Sequence, residues 1–464
     1  MSRSSADGVF TRKVTAVFST KAVAFALSLA TSVALSRILG PEGKGEYVAV
    51  IYVPGLLSAI GVFGMPSAIN YFSARGASIM GLLRMGLLMA AGLAAVLVGA
   101  VVLTLPWLEQ SIFSAAPPQW LWLGIITVPA ALFGTFANGI LYGRQRTRTY
   151  SWIVVGQAFA TLCLALLFVA VLNMGVVGAV LASVSITWLF AIRVIVAVVM
   201  LARREPGGSP VPYRSLVAYG LKIMPASITG YFNYRIDVFI LQALLVGQAA
   251  ELGLYNMAFT MAELLFYIPD SVTTIFLPRV SGATAAEANA SLPRVARFTV
   301  LLTVVCGLAL IPVAFVGVHV VLPQFEGCLP AFFVLLPGIM AMALAKVASS
   351  YVSGRGRPGI VSIGASIALV INVVANLVLI PRFGIVGAST ASLFSYGSLA
   401  AFMLMTASRV SHLSPLTILM PGKEEMLLLR RTLGRLGSAV VARVTKAGRR
   451  GVAESVATTE GPRS

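Results

Sequence analysis

The 464-residue chain is 58% hydrophobic and only 11% charged, against about 25% charged in ordinary soluble domains, which excludes a soluble globular protein and fits an all-α polytopic membrane protein. Its 34 Lys and Arg against 15 Asp and Glu give a net charge of +19. That charge is spread over loops between apolar runs, so it does not point to nucleic acid. Cys163, Cys306 and Cys328 are few, scattered and odd in number, and His319 and His412 stand alone, so neither a disulfide framework nor a metal site is expected.

A helical span needs about 20 mostly apolar residues. Twelve runs of that kind lie near 14–36, 47–70, 80–104, 120–142, 152–172, 176–200, 216–246, 253–278, 296–321, 329–352, 359–380 and 384–408. The first is too long for a signal-peptide core and no small-residue cleavage site follows it, so it is expected to stay as a span. The predicted organisation is a cytoplasmic N-terminus over 1–13, a first lobe of six spans over 14–200, a linker over 201–215, a second lobe over 216–408 and a basic tail over 409–464.

Lys and Arg concentrate on the cytoplasmic side of a membrane protein. Alternate connections carry Arg3, Arg12 and Lys13; Arg75 and Arg84; Arg144, Arg146 and Arg148; Arg203, Arg204 and Arg214; Arg279, Arg294 and Arg297; and Arg355 and Arg357. The opposite side receives Arg37, Lys44 and Arg382. Both termini are therefore expected in the cytoplasm. In the tail, Met426, Leu429, Leu433, Leu436, Val440 and Val444 recur at helical spacing among basic residues from Arg430 to Arg450. This predicts an amphipathic helix on the anionic inner leaflet, to which each cation contributes about 1 kcal/mol.

The seventh span carries Tyr231-Phe232-Asn233-Tyr234-Arg235-Ile236-Asp237, with an arginine and an aspartate two residues apart inside an apolar run. Charge within the bilayer costs at least a few kcal/mol, so such residues face a bundle interior, a partner or a water-filled cavity. Residues two apart on a helix do not face each other, so Arg235 and Asp237 are expected to serve different partners. This span is read as the start of the second half and as a hinge. Pro54, Pro66, Pro225, Pro269 and Pro278 break backbone hydrogen bonds within spans and mark further bends.

The halves repeat. Gly45-Glu46-Tyr47 returns as Gly253-Leu254-Tyr255 at a shift of 208, Gly143-Arg144-Gln145-Arg146 as Gly354-Arg355-Gly356-Arg357 at 211, and Gly175-Val176-Val177-Gly178-Ala179 as Gly384-Ile385-Val386-Gly387-Ala388 at 209. Six spans per half keep both halves in one orientation, so two parallel six-helix lobes around a central cavity are predicted, related by an axis along the membrane normal.

Leu35-Ser36-Arg37-Ile38-Leu39-Gly40-Pro41-Glu42-Gly43-Lys44-Gly45-Glu46-Tyr47 resembles the first-loop signature of bacterial polysaccharide-exporting flippases. Glu251-Leu252-Gly253-Leu254-Tyr255-Asn256 and Asn233-Tyr234-Arg235-Ile236-Asp237 resemble its second-half and seventh-helix counterparts. The resemblance covers roughly residues 10–410. It implies the multidrug/oligosaccharidyl-lipid/polysaccharide exporter superfamily, in the branch that moves undecaprenyl-diphosphate-linked oligosaccharides outward across the bacterial cytoplasmic membrane for cell-surface polysaccharide biosynthesis. Many members of that branch have fourteen spans, and this chain reads as twelve. Membrane lipid, a polysaccharide polymerase and assembly proteins are the partners so implied, and no nucleic acid.

No nucleophile–base pair, metal-ligand cluster or phosphate-cradling glycine loop is found, so neither an enzyme nor a cofactor is expected, and coupling to Na+ or H+ is left open. Embedded cations are Lys21, Arg193, Lys222, Arg235 and Lys346, against Asp237, Glu263 and Asp270. A diphosphate crossing hydrocarbon needs its charge met by charge-assisted hydrogen bonds, so Lys21, Arg235, Lys346 and Arg193 are the candidate diphosphate-binding residues. Pairing with carboxylates, or snorkelling to an interface, is the alternative. Asn372 and Asn376 share a face of the eleventh span, and Val386 and Thr390 a face of the twelfth. Their oxygens with that of Asp237 suit a hard cation, and the arrangement resembles the sodium site of lipid II flippases, with Val386 giving a backbone carbonyl. Asn376 is neutral where a second carboxylate can occur, and plain interhelical hydrogen bonding is an equal alternative. Two other functions stand beside the flippase: a cation-coupled multidrug antiporter, which would favour an acidic cavity, and a non-transporting scaffold of a polysaccharide-assembly complex.

Overall fold

The structure, a computed structural model, describes residues 3–111, 117–245 and 247–420. The basic helix expected after Lys423 lies outside the described residues. Backbone polar groups in a bilayer must be satisfied within the chain, and the apolar runs accordingly fold as helices. The first half contains α1 (Arg3–Gly61), α2 (Met65–Ala74), α3 (Ile79–Ser111), α4 (Pro118–Ile125), α5 (Thr127–Gly143), α6 (Thr147–Ala165) continued by a π turn over Leu166–Val171, and α7 (Gly175–Arg204). The second contains α8 (Tyr213–Leu244), α9 (Ala249–Glu263), a 3-10 turn over Leu264–Phe266, α10 (Tyr267–Gly282), α11 (Ala285–Val321), a 3-10 turn over Pro323–Cys328, α12 (Leu329–Gly354), α13 (Pro358–Ser411) and α14 (Pro415–Leu419).

Eight helical stretches are long and apolar enough to cross a membrane. Two of them, in α1 and α13, each contain a sharp non-helical residue, Gly40 (φ 69°, ψ 179°) and Gly384 (φ 54°, ψ −132°), and so are two rods each. Together with α8, which carries Lys222, Arg235 and Asp237, and the interrupted α9–α10 rod, which carries Glu263 and Asp270, the described residues form about twelve rods. The expected loops at Gly40 and Gly384 are bends within continuous helices. One consequence was not legible in sequence: Lys44, placed in an exposed loop, is buried, with Nζ 3.4 Å from Ser32 Oγ. The second span is broken as well, at left-handed Phe63 and Gly64 between α1 and α2.

The repeat reappears in backbone detail. Arg144, Gln145 and Arg146 donate amides to Ile140, Tyr142 and Leu141, and Arg355, Gly356 and Arg357 donate to Tyr351, Ser353 and Val352, the same pattern 211 residues on. Gln145 and Gly356 share the left-handed conformation (φ 53° and 79°), as do Gly175 and Gly384 (φ 56° and 54°). The two halves also meet reciprocally. A Cβ on Gly45 would lie 1.6 Å from the Ala249 carbonyl oxygen, and one on Gly253 would lie 2.0 Å from that of Pro41. Pro41 and Ala249 are 208 residues apart, as are Gly45 and Gly253. A contact that maps onto itself under that shift marks the pseudo-twofold axis.

The helices bury two large apolar clusters. One lies among α2, α3, α5 and α7 around Phe136, Ile140 and Val194. The larger lies chiefly among α9 to α13 around Tyr255, Phe332 and Tyr351, and takes in Val48 and Val50 of α1. α8 joins both: Leu216 belongs to the first cluster and Val238 to the second. Its early turns are tied to the first half by stacking of Tyr219 on Tyr71 at 4.5 Å.

Gly387 packs against the turn before it, where a Cβ would lie 2.3 Å from the Leu379 carbonyl oxygen. Gly387→Val is expected to destabilise the protein by about 3 kcal/mol through overpacking, seen as a lower thermal midpoint in detergent. Gly397→Ala, at a position with no atom within 4 Å, should leave the midpoint unchanged.

Candidate functional site

Arg235 and Asp237, on α8, point to different neighbours. Arg235 reaches across to the first half, where Nη1 donates to the Tyr52 hydroxyl at 2.8 Å, while Nη2 lies 3.4 and 3.5 Å from the carboxylate oxygens of Glu263. Its guanidinium also lies over the Phe259 and Tyr52 rings, 5.0 and 5.5 Å from their centroids. Tyr52 accepts in addition from Asn256 Nδ2 at 3.0 Å. The ion pair is not sealed: the Arg235 and Glu263 side chains are 26% and 39% exposed.

Lys346 on α12 has a parallel arrangement. Its Nζ is 2.6 Å from Asp270 Oδ1 and lies over the rings of Phe266 (4.5 Å) and Tyr234 (5.4 Å). Again the acid is the more open partner, Asp270 at 54% against 15% for Lys346. Both carboxylates come from one interrupted rod, Glu263 at the end of α9 and Asp270 in the first turn of α10, either side of the Leu264–Phe266 turn. Lys346 and Asp270 border an open cavity of about 500 Å³ lined by α8, α10, α12 and α13.

The other two cations expected at a diphosphate are placed differently. Arg193 of α7 is exposed and lies in a small groove lined by α6 and α7, against Gly156 and Gln157. Lys21 is on α1, and its side chain is outside the described residues. Pairing with carboxylates, the alternative raised for the cations, describes both Arg235 and Lys346.

Asp237 is 2% exposed. Oδ1 accepts the Val238 amide at 2.9 Å, and Oδ2 accepts the Tyr255 hydroxyl and, at 3.3 Å, Ser392 Oγ. Of its four expected companions, Asn376 Nδ2 donates to Asn372 Oδ1 at 2.7 Å, and Thr390 Oγ1 to the Val386 carbonyl at 2.7 Å. The five residues thus fall into three hydrogen-bonded groups on α8, α13 before Gly384, and α13 after it. Asn376 Oδ1 is a buried acceptor with no partner. Tyr255 and Asn256 stand in the sequence only as part of a repeated motif, with no site role, and nothing in the sequence marks Tyr52 or Ser392. A hydroxyl or amide carries no charge signal, and only helix contacts show which of them meets an ion.

A model of the polysaccharide biosynthesis protein family matches residues 10–282. The chain belongs to that family. Two curated relatives are each 27% identical over 192 residues: an uncharacterized membrane protein of Methanocaldococcus jannaschii and a probable low-salt glycan biosynthesis flippase of Haloferax volcanii. Each alignment covers 39% of this chain, and the chain spans 37% and 39% of the length of those relatives. Among solved structures, the lipid II flippase MurJ in an inward closed conformation matches with a TM-score of 0.67 at 14% identity, over 84% of this chain and 87% of that one. An inward-facing multidrug resistance MATE family transporter of the MOP superfamily matches with a TM-score of 0.65 at 16% identity, over 84% and 96%. The chain is therefore a multi-span membrane protein that shares the fold of these two structures. The named functions among these neighbours are those of flippases and transporters, not enzymes.

Proposed function

We propose that this member of the polysaccharide biosynthesis family is a flippase that moves an undecaprenyl-diphosphate-linked oligosaccharide from the inner to the outer leaflet of a bacterial cytoplasmic membrane by alternating access. The observation that carries the reading is the pair of embedded cations, Arg235 and Lys346, each held by one partly exposed carboxylate. A diphosphate carries more acceptor oxygens and more charge than a carboxylate, so it can displace Glu263 and Asp270 from these cations. The polyprenyl tail stays in lipid, where it needs no protein polar group. The halves over 14–200 and 216–408 rock about α8, with both termini cytoplasmic. The contact of Gly45 and Gly253 with the opposite half then closes the outer end. Asp237, Asn372, Asn376, Thr390 and the Val386 carbonyl are the proposed site of a coupling cation, and the unpartnered Asn376 Oδ1 is an acceptor that a cation would complete.

A second reading, a cation-coupled multidrug antiporter, is favoured by one observation: Glu263 and Asp270 are more exposed than the cations they hold, which suits an organic cation. One assay separates the two. Purified protein in liposomes, given a fluorescent lipid-diphosphate oligosaccharide with and without a sodium or proton gradient, is expected to move the lipid. Loss of gradient dependence in Asp237→Asn, with the lipid still moving, is the expected result for a coupling site. Exchange of organic cations without lipid movement would replace the flippase by the antiporter, and neither activity from folded protein would leave a scaffold.

A further inference from the structure

Below the Lys346–Asp270 pair the cavity changes character. On α12, Lys346, Ser349, Ser350 and Ser353 lie at i, i+3, i+4 and i+7, which is one helix face, and all four line the cavity. On α10, Asp270, Thr273, Thr274 and Leu277 have the same spacing and line it from the other side. The cavity therefore carries one ion pair at its head, three hydroxyls from α12 (Ser349, Ser350 and Ser353) and two from α10 (Thr273 and Thr274). The rows end beside the turns that hold Arg279 and Arg355.

The hydroxyls are set for a ligand that both gives and takes hydrogen bonds. Thr273 and Thr274 donate to the Asp270 carbonyl at 3.2 and 2.7 Å, so their lone pairs are left as acceptors. Ser350 is 8% exposed, and its Oγ has no hydrogen-bond partner. A buried hydroxyl left unmade costs about 1–3 kcal/mol, so a ligand that completes it gains that amount. The walls between the hydroxyls are apolar, from Tyr234, Leu277, Met342, Ala345, Ala365 and Leu399, so the site calls for a ligand with both hydroxyls and apolar faces, which neither a bare diphosphate nor an isoprenoid tail offers. A polyol fits. At about 500 Å³ the space falls in the roughly 300–1,000 Å³ range of small-molecule sites. The Tyr234 ring, which also lines it, offers an aromatic face.

We infer that this hydroxyl-lined cavity between α10 and α12 is a saccharide subsite that takes the sugar joined to the diphosphate, while Lys346 holds phosphate at its head. This rests on the flippase reading and adds to it where the sugar sits. Asp270, once displaced from Lys346 by phosphate, accepts sugar hydroxyls, as do Thr273 and Thr274, and a rotation of the Ser350 side chain turns its buried, unpartnered hydroxyl to the sugar.

The test is titration of the full-length protein with two probes, geranyl diphosphate and the same compound carrying one hexose on the terminal phosphate. The wild type should bind the hexosyl form about tenfold more tightly, a difference worth about 1.4 kcal/mol. Ser350→Val and Thr274→Val should each remove most of that difference and leave affinity for geranyl diphosphate unchanged. If Ser350→Val fails to fold, Ser353→Ala at the half-buried end of the row gives the same readout with a smaller loss. No binding of geranyl diphosphate by the wild type would overturn the flippase reading. Binding of that probe with no gain from the hexose, or a gain that survives every hydroxyl substitution, would overturn the saccharide subsite alone.

Discussion

Gly45→Ala is expected to abolish the closed contact between the two halves and with it most transport. The new Cβ would lie 1.6 Å from the Ala249 carbonyl oxygen, and the obstacle is backbone, not a side chain that could swing aside. Relief requires the rods to separate where Gly45 and Gly253 hold them together. A penalty of about 3 kcal/mol moves a two-state equilibrium by more than about a hundredfold, enough to empty the state seen here. Cysteine accessibility from each face of the membrane should show the end near Gly45 open, with lipid translocation falling by about two orders of magnitude. Gly253→Ala should act the same way, since its Cβ meets the carbonyl of the symmetry-related Pro41 at 2.0 Å. The double variant should be less than additive, because the first substitution already opens the contact that the second would strain. Normal accessibility and transport in Gly45→Ala would refute the role of this crossing.

Arg235→Ala is expected to lose at least about a hundredfold in translocation, the effect of removing a charge-assisted contact worth about 3 kcal/mol to a diphosphate. It also leaves Glu263 without its cation and Tyr52 with one donor fewer. A stability loss would therefore accompany the functional one, though moderated because both partners of the pair are partly solvated. Arg235→Ala with Glu263→Gln separates the effects: thermal stability should recover, and transport should not. Glu263→Gln alone should tighten geranyl diphosphate binding, since it removes the internal competitor for the guanidinium. Arg235→Lys should be only partly active, because one ammonium cannot hold both Tyr52 and an anion in the arginine's forked geometry. Full activity in folded Arg235→Ala would remove this residue from the site.

The sequence by itself determined the helical class, the approximate spans and the repeat. Each rests on local chemistry: hydropathy over about 20 residues, and glycines at positions where the backbone turns left-handed or meets another chain segment, as at Gly384 and Gly387. It also marked Arg235, Asp237 and Lys346, because ionisable groups in an apolar run stand out wherever the chain goes. Only the tertiary structure decided what those charges meet. Glu263 lies 28 residues from Arg235 and Asp270 lies 76 from Lys346, and no local pattern joins such pairs; they form because α9 and α10 pack against α8 and α12. The same holds for Tyr52, 183 residues before the arginine it binds, and for Ser350, an ordinary serine until two helix faces enclose it. Lys44 makes the point in reverse, since a glycine that bends a helix and one that ends it look alike in sequence, and the bend at Gly40 turned an expected loop cation into a buried one.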